Sequence, residues 1–173
     1  MMRNGVDMER VEVLTDAMRR DPAVGRRTLS SITSWNGGAH STTIVRDFAI
    51  PADEPAVIGG TNQGPSPTEL MLTGLSTCIA IGIAYSAAEE GIEVDLIEID
   101  VAGDLDLAGF FDIGDARPGL EEVRLTVRVD AEASREKIRE LVDHAYQRSP
   151  VAAALAGRVP IKVCIGWEET RTE

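Results

Sequence analysis

Apolar and polar residues follow one another along this chain in two patterns, a helical period and a strict alternation. Residues 7–20 carry apolar side chains at helical spacing with charges between them, which predicts a short amphipathic helix. The segments 26–35 and 40–50 alternate, and the Asn-Gly-Gly turn signal between them predicts a β-hairpin. Residues 51–67 then form a loop with four prolines and three glycines, and loops of that length are usually functional or disordered.

The second half of the chain alternates more cleanly. Residues 94–107 and 122–131 each predict a strand, and residues 134–149 predict a second amphipathic helix with Ser134 as its cap. A helical turn beginning at a proline and a closing strand at 159–167 follow. This order of elements predicts an α+β fold of mostly antiparallel strands and two main helices.

Residues 67–90 form the longest predicted helix. Its start is well specified, because Ser66 is a good N-cap, Pro67 suits the first helical position, and Glu69 completes a capping box. Gly91 supplies the stop. The helix is apolar almost all round, so it must be buried on most sides. We therefore expect a second copy of the chain to cover it in a homodimer.

The length and net charge of the chain indicate its domain organisation and exclude some classes of partner. The chain of 173 residues fits one domain at 26–173, preceded by a helical extension at 1–25. A net charge of −12 argues against nucleic acid or an anionic membrane as a partner. The chain start has no hydrophobic signal-peptide core, and the apolar run 79–85 is too short to span a bilayer. A reducing cytoplasm is the expected compartment.

Two cysteines and two histidines are the main candidates for chemistry. Cys78 lies inside the apolar helix, where cysteines are usually buried and inert, and reactivity would need a nearby cation and partial access. Cys164 shares a strand face with Lys162 and is best explained as a structural residue. His40 and His144 form no metal-ligand spacing with either cysteine. No nucleotide-binding or hydrolase motif occurs, so we expect no metal and no cofactor.

The stretch 64–92, "GPSPTELMLTGLSTCIAIGIAYSAAEEGI", carries a more specific signal. It combines a Gly-x-x-Pro-x-Glu-Leu helix start, a cysteine eleven residues after that proline, and a closing Gly-Ile. With "DEPAVIGGTNQGPSP" before it and "SPVAAAL" after the second helix, the chain resembles the OsmC/Ohr family. This family comprises osmotically inducible protein C and organic hydroperoxide resistance proteins. The resemblance covers residues 35–167.

The resemblance implies an intertwined homodimer, with two long helices at its centre and a site at each end of the interface. It also implies thiol-dependent reduction of hydroperoxides, with Cys78 as the peroxidatic residue that becomes a sulfenic acid. In the family a second cysteine then closes a disulfide, which an external dithiol reduces. In the family, an arginine from the N-terminal hairpin also activates the thiolate, and a glutamate at the start of the helix orients that arginine.

This chain departs from that pattern at several positions. Ser149 stands where the family has its resolving cysteine. Thr68 replaces the glutamate after the helix-start proline, and the adjacent Glu69 is the remaining acid. His40 lies near the expected place of the hairpin arginine, and Arg46 lies further on.

Two hypotheses with different chemistry stay open. In the favoured one, the protein is a thiol peroxidase resolved by a small thiol, an external dithiol or Cys164. In the alternative, the dimer is a stress-associated protein without peroxidase activity, and it binds a small apolar or thiol-containing ligand near Cys78. A purely structural interpretation leaves Cys78 inert.

Overall fold

The N-terminal extension begins with a small hairpin in the computed structural model, which describes residues 1–158. Strands β1 (Met2–Arg3) and β2 (Val6–Asp7) pair antiparallel around an Asn-Gly turn, the dipeptide favoured in two-residue hairpin turns. Helix α1 (Met8–Arg20) follows, which confirms the predicted amphipathic helix. The Asn4 side chain donates a hydrogen bond to the carbonyl of Ile92 at 2.9 Å. This bond joins the hairpin of the N-terminal extension to the main domain.

A three-stranded antiparallel meander comes next, where the sequence predicted a two-stranded hairpin. It contains β3 (Ile32–Gly37), β4 (His40–Val45) and β5 (Phe48–Ala52) in that order. The predicted strand at 40–50 was wrong because Arg46 has a φ of 54° and begins a turn back. The turn consists of the charged pair Arg46-Asp47 and contains no glycine, proline or asparagine, so the sequence carries no strong turn signal there.

The second sheet consists of two long antiparallel strands, β6 (Val94–Leu105) and β7 (Leu120–Ala131). Their connection was predicted as a loop at 108–121, but it contains the short helix α3 (Leu107–Phe110), and β7 begins inside it. Helices α2 (Pro67–Glu90) and α4 (Arg135–Arg148) pack on this sheet, followed by α5 (Pro150–Ala153). The predicted closing strand at 159–167 lies outside the described residues.

Helix α2 has the predicted ends. The Ser66 hydroxyl accepts a hydrogen bond from the Glu69 amide at 3.2 Å, and the Glu69 carboxylate accepts one from the Ser66 amide at 2.7 Å. Gly91 ends the helix with a φ of 75°, a conformation that glycine adopts without strain. The capping box and the glycine stop are therefore confirmed.

One face of α2 makes the core, and the other is uncovered. Leu75, Ile79 and Ile83 are buried among residues of α4, β6 and β7. On the opposite face Ile81 is 57% exposed, and a side chain added at Gly74 would meet only open space. The expectation of burial on most sides is therefore not met within one protomer.

By length and composition α2 could cross a membrane, although the apolar run within it was expected to be too short. Its polar, capped ends and the packing of its inner face on a sheet are the features of a core helix.

The meander is also uncovered. Its strands contact mainly one another, and Trp35 is 75% exposed. Phe48 and Val45, paired across β4 and β5, lie on the same sheet face as Trp35. Among residues 1–158 no helix packs closely on this sheet, and its exposed aromatic residues leave its core incomplete.

Candidate functional site

The site is centred on Cys78, about three turns into α2. The thiol is half-buried and is not part of a disulfide. Its Sγ accepts a hydrogen bond from the Ser149 hydroxyl at 3.2 Å. The structure thus places the residue at the family's resolving position directly against the candidate peroxidatic sulfur.

Ser149 is held in place by the local fold. It joins α4 to α5 and is 3% exposed. Its Oγ accepts a hydrogen bond from the Ala152 amide at 3.1 Å, the usual N-cap geometry. Because the amide occupies a lone pair on the oxygen, the hydroxyl proton is free to point at the sulfur of Cys78.

A mainly apolar pocket of about 240 Å³ is lined in part by neighbours of this pair in the sequence, although neither Cys78 nor Ser149 lines it. Leu75, one helical turn before Cys78, forms part of its wall, as does Ala152, three residues after Ser149. The remaining lining residues come from β7, from α4 and from the chain after α5: Val123, Leu125, Tyr146, Leu155 and Ala156. A wall of this composition accepts a hydrocarbon group and offers few polar contacts.

The other predicted site residues lie elsewhere in the protomer. Glu69 is engaged in the capping box, His40 begins β4, and Arg46 lies in the β4–β5 turn with its guanidinium 5.1 Å from the Phe48 ring centre. Among residues 1–158, no hydrogen bond or ion pair joins these three side chains to Cys78. Cys164, the alternative resolving residue, lies outside the described residues.

The second histidine makes one polar contact of its own. His144 Nδ1 lies 3.1 Å from the Ser86 hydroxyl, at the exposed junction of α4 and α2. Within the part of the chain that the structure describes, no three His, Cys, Asp or Glu side chains are grouped as a metal site would require.

Sequence reasoning did not single out Asp53, the first residue after β5, which is 1% exposed. Its carboxylate accepts hydrogen bonds from the Thr61 hydroxyl at 2.6 Å and from the amides of Glu54, Thr61 and Gln63 at 2.8–3.1 Å. These hydrogen bonds, above all the one from the Thr61 hydroxyl, lower the pKa of Asp53 to about 2. Burial acts in the opposite direction and raises it. The loop before α2 is thus folded around one carboxylate.

We expect Asp53→Asn to weaken the fold at neutral pH and to have little effect near pH 2. The folded-state pKa of Asp53 lies near 2, below the ordinary value of 3.8, so its stabilising effect is complete above pH 3.8. This contribution is lost as the pH falls toward 2. Urea unfolding of both proteins from pH 6 to pH 2 measures the difference between their midpoints.

The exposed Asp47 in the β4–β5 turn gives the control, Asp47→Asn. Midpoints of Asp53→Asn and wild type that stay equal at pH 6 would show that the carboxylate does not hold the loop.

Comparison with known proteins adds to this geometry. The sequence profile of the family described as "OsmC-like protein" matches residues 60–163. The organic hydroperoxide resistance protein OhrB of Bacillus subtilis is 28% identical over 138 residues, which cover 78% of this chain and 94% of OhrB.

Solved structures show the same architecture. An OsmC-like protein from Mycoplasma pneumoniae superposes with a TM-score of 0.65 at 22% identity, over 76% of this chain and 89% of that one. An organic hydroperoxide resistance protein OsmC from Legionella pneumophila gives a TM-score of 0.59 at 18% identity, over 76% and 93%. At these identities the likeness establishes the α+β fold that the sequence predicted.

Proposed function

Because this chain belongs to the OsmC-like protein family, we propose that it is a thiol-dependent hydroperoxide reductase with Cys78 as its peroxidatic residue. The observation that carries this proposal is the half-buried free thiol of Cys78, which receives a hydrogen bond from the buried hydroxyl of Ser149. The similarity to OhrB, an organic hydroperoxide resistance protein, supports the same reaction class.

The chemistry begins with attack of the Cys78 thiolate on the terminal oxygen of a hydroperoxide. The O–O bond breaks, the sulfur becomes a sulfenic acid, and the leaving alkoxide takes a proton to become an alcohol. The cavity walled by Leu75 and Leu125 would hold the hydrocarbon part of the substrate. Two electrons from thiols must then return Cys78 to its reduced state.

The source of those electrons lies outside residues 1–158, in which Cys78 is the one cysteine. An external monothiol condenses with the sulfenic acid to a mixed disulfide and water, and a second thiol then releases Cys78. An external dithiol supplies both thiols itself. Cys164 is the internal alternative. A reducing cytoplasm is the compartment that supplies such thiols.

Trapping the sulfenic acid tests the reaction. After one equivalent of an organic hydroperoxide in the presence of dimedone, we expect the peptide containing Cys78 to carry the dimedone adduct by mass spectrometry. The Cys164→Ser protein should carry the same dimedone adduct at Cys78 as the wild type, and the Cys78→Ser protein should carry none. A wild-type Cys78 that stays reduced while the hydroperoxide remains unconsumed would contradict the proposal.

We also propose that the protein works as an intertwined homodimer. The exposed face of α2 and the meander are two apolar surfaces that residues 1–158 of one protomer leave unpaired. A two-fold dimer places each surface against the other chain and buries both. In such a dimer the meander, which carries His40 and Arg46, is the element able to bring a cation to the site of the other chain.

A second candidate function is binding of a small apolar ligand without turnover. The pocket that begins at Leu75, one helical turn before Cys78, favours it, because Tyr146 and Leu155 give this pocket a mainly apolar wall. Native mass spectrometry of freshly purified protein distinguishes the two functions. A retained ligand together with an unreactive Cys78 supports binding, and a ligand-free protein whose Cys78 is oxidised supports the reductase.

A further inference from the structure

We propose that Ser149 is a catalytic residue of this site, whose hydroxyl donates a hydrogen bond to the Cys78 sulfur and stabilises it as the thiolate. This inference rests on the proposed function for its role in turnover, since it concerns the same sulfur. It assigns an active part to a side chain that would otherwise be regarded as the loss of a resolving cysteine.

The contacts of Ser149 exceed what a helix cap needs. Capping α5 uses only a lone pair of the oxygen, which accepts from the Ala152 amide. The hydroxyl proton is still available, and at 3% exposure it has almost no access to solvent. Within residues 1–158, the recorded acceptor for that proton is Cys78 Sγ at 3.2 Å. The Ser149 hydroxyl proton is therefore donated to the Cys78 sulfur.

A donor in this position favours the charged form of the sulfur. Hydrogen bonds to charged groups are stronger than those to neutral ones, so O–H···S⁻ is favoured over O–H···S–H. In the peroxide step the hydroxyl keeps its own proton. It supports the thiolate until the sulfur gives an electron pair to the peroxide oxygen and the alkoxide leaves. The proton taken up by the alkoxide comes from solvent.

The test compares Ser149→Ala with wild type by the alkylation rate of Cys78 with iodoacetamide from pH 5 to pH 9. Mass spectrometry of the Cys78 peptide separates this reaction from that of Cys164. We expect alkylation about tenfold slower at neutral pH, because a hydrogen bond to a charged group has been removed. Ser149→Thr, which keeps the hydroxyl, should restore the wild-type profile.

Ser134→Ala is the matched control. Ser134 caps α4 by accepting from the Lys137 amide at 3.1 Å, as Ser149 caps α5. Its loss should lower the thermal midpoint and leave the alkylation profile of Cys78 unchanged. If Ser149→Ala does not fold, Ser149→Gly replaces it, since glycine is the better cap of the two.

The outcomes separate this inference from the proposed function. A folded Ser149→Ala protein that is alkylated at the wild-type rate at every pH would overturn the donor role. Alkylation that depends on Ser149 in a protein whose Cys78 does not react with hydroperoxide would leave the donor role intact and reject the reductase.

Discussion

Ile81→Asp is expected to convert the proposed dimer into monomers while leaving each protomer folded. Ile81 is 57% exposed in one protomer, so an aspartate there remains hydrated in the monomer. A dimer formed through this face of α2 would bury the carboxylate without a partner. An uncompensated buried charge costs about 3–5 kcal/mol, and a two-fold interface contains it twice. The dissociation constant would rise by roughly four to seven orders of magnitude.

Light scattering coupled to gel filtration measures this directly. The wild-type mass should be twice the chain mass of 18.6 kDa, and the Ile81→Asp mass should be that of one chain. Val13→Asp is the matched control, since Val13 on α1 is 66% exposed but belongs to the N-terminal extension. A wild type of one chain mass, or an Ile81→Asp protein that stays dimeric, would reject this face as the interface.

Local signals made α2 predictable. Ser66, Glu69 and Gly91 act within three or four residues of the helix ends, so their hydrogen bonds can be read from the sequence alone. The alternation at β6 and β7 is equally local, because successive side chains of a strand lie on opposite faces of the sheet and differ in polarity accordingly. The main helices, the long strands and the fold class followed from such patterns.

Features that depend on compact loops or distant residues could not be predicted in this way. A loop rich in proline and glycine has the same composition whether it is disordered or folded, and so the burial of Asp53 was hidden. Only its four donors, drawn from residues 54–63, show that it is an organising residue. The turn at Arg46 escaped for another reason: arginine rarely adopts positive φ.

The contact between Cys78 and Ser149 spans 71 positions of sequence. No periodicity reports a contact of that separation, and it was the family resemblance that placed the two residues opposite each other. The resemblance treated Ser149 as a missing cysteine, because sequence identity says nothing about where a hydroxyl proton goes. The hydrogen-bond geometry supplied that information.

Ser149→Cys is expected to change how the oxidised site is resolved. The Ser149 oxygen lies 3.2 Å from Cys78 Sγ, and the longer C–S bond of cysteine brings the new sulfur closer to the bonding distance of about 2.05 Å. After one equivalent of hydroperoxide, the Cys78 sulfenic acid should condense with the new thiol, releasing water. The product is an internal disulfide, which a dithiol reduces efficiently.

The measurement is the yield of mixed disulfide at Cys78 after the oxidised protein is incubated with a monothiol at millimolar concentration. All variants carry Cys164→Ser as a common background. The background protein should carry the monothiol as a mixed disulfide at Cys78. In Ser149→Cys we expect at least about a tenfold lower yield of that adduct, because a thiol held against the sulfenic acid has a far higher effective concentration. Ser134→Cys, with its new thiol at the cap of α4, should behave as the background does. Since an internal disulfide requires the two side chains to meet, a Ser149→Cys protein that still forms the mixed disulfide in full would show that they are apart in the oxidised protein.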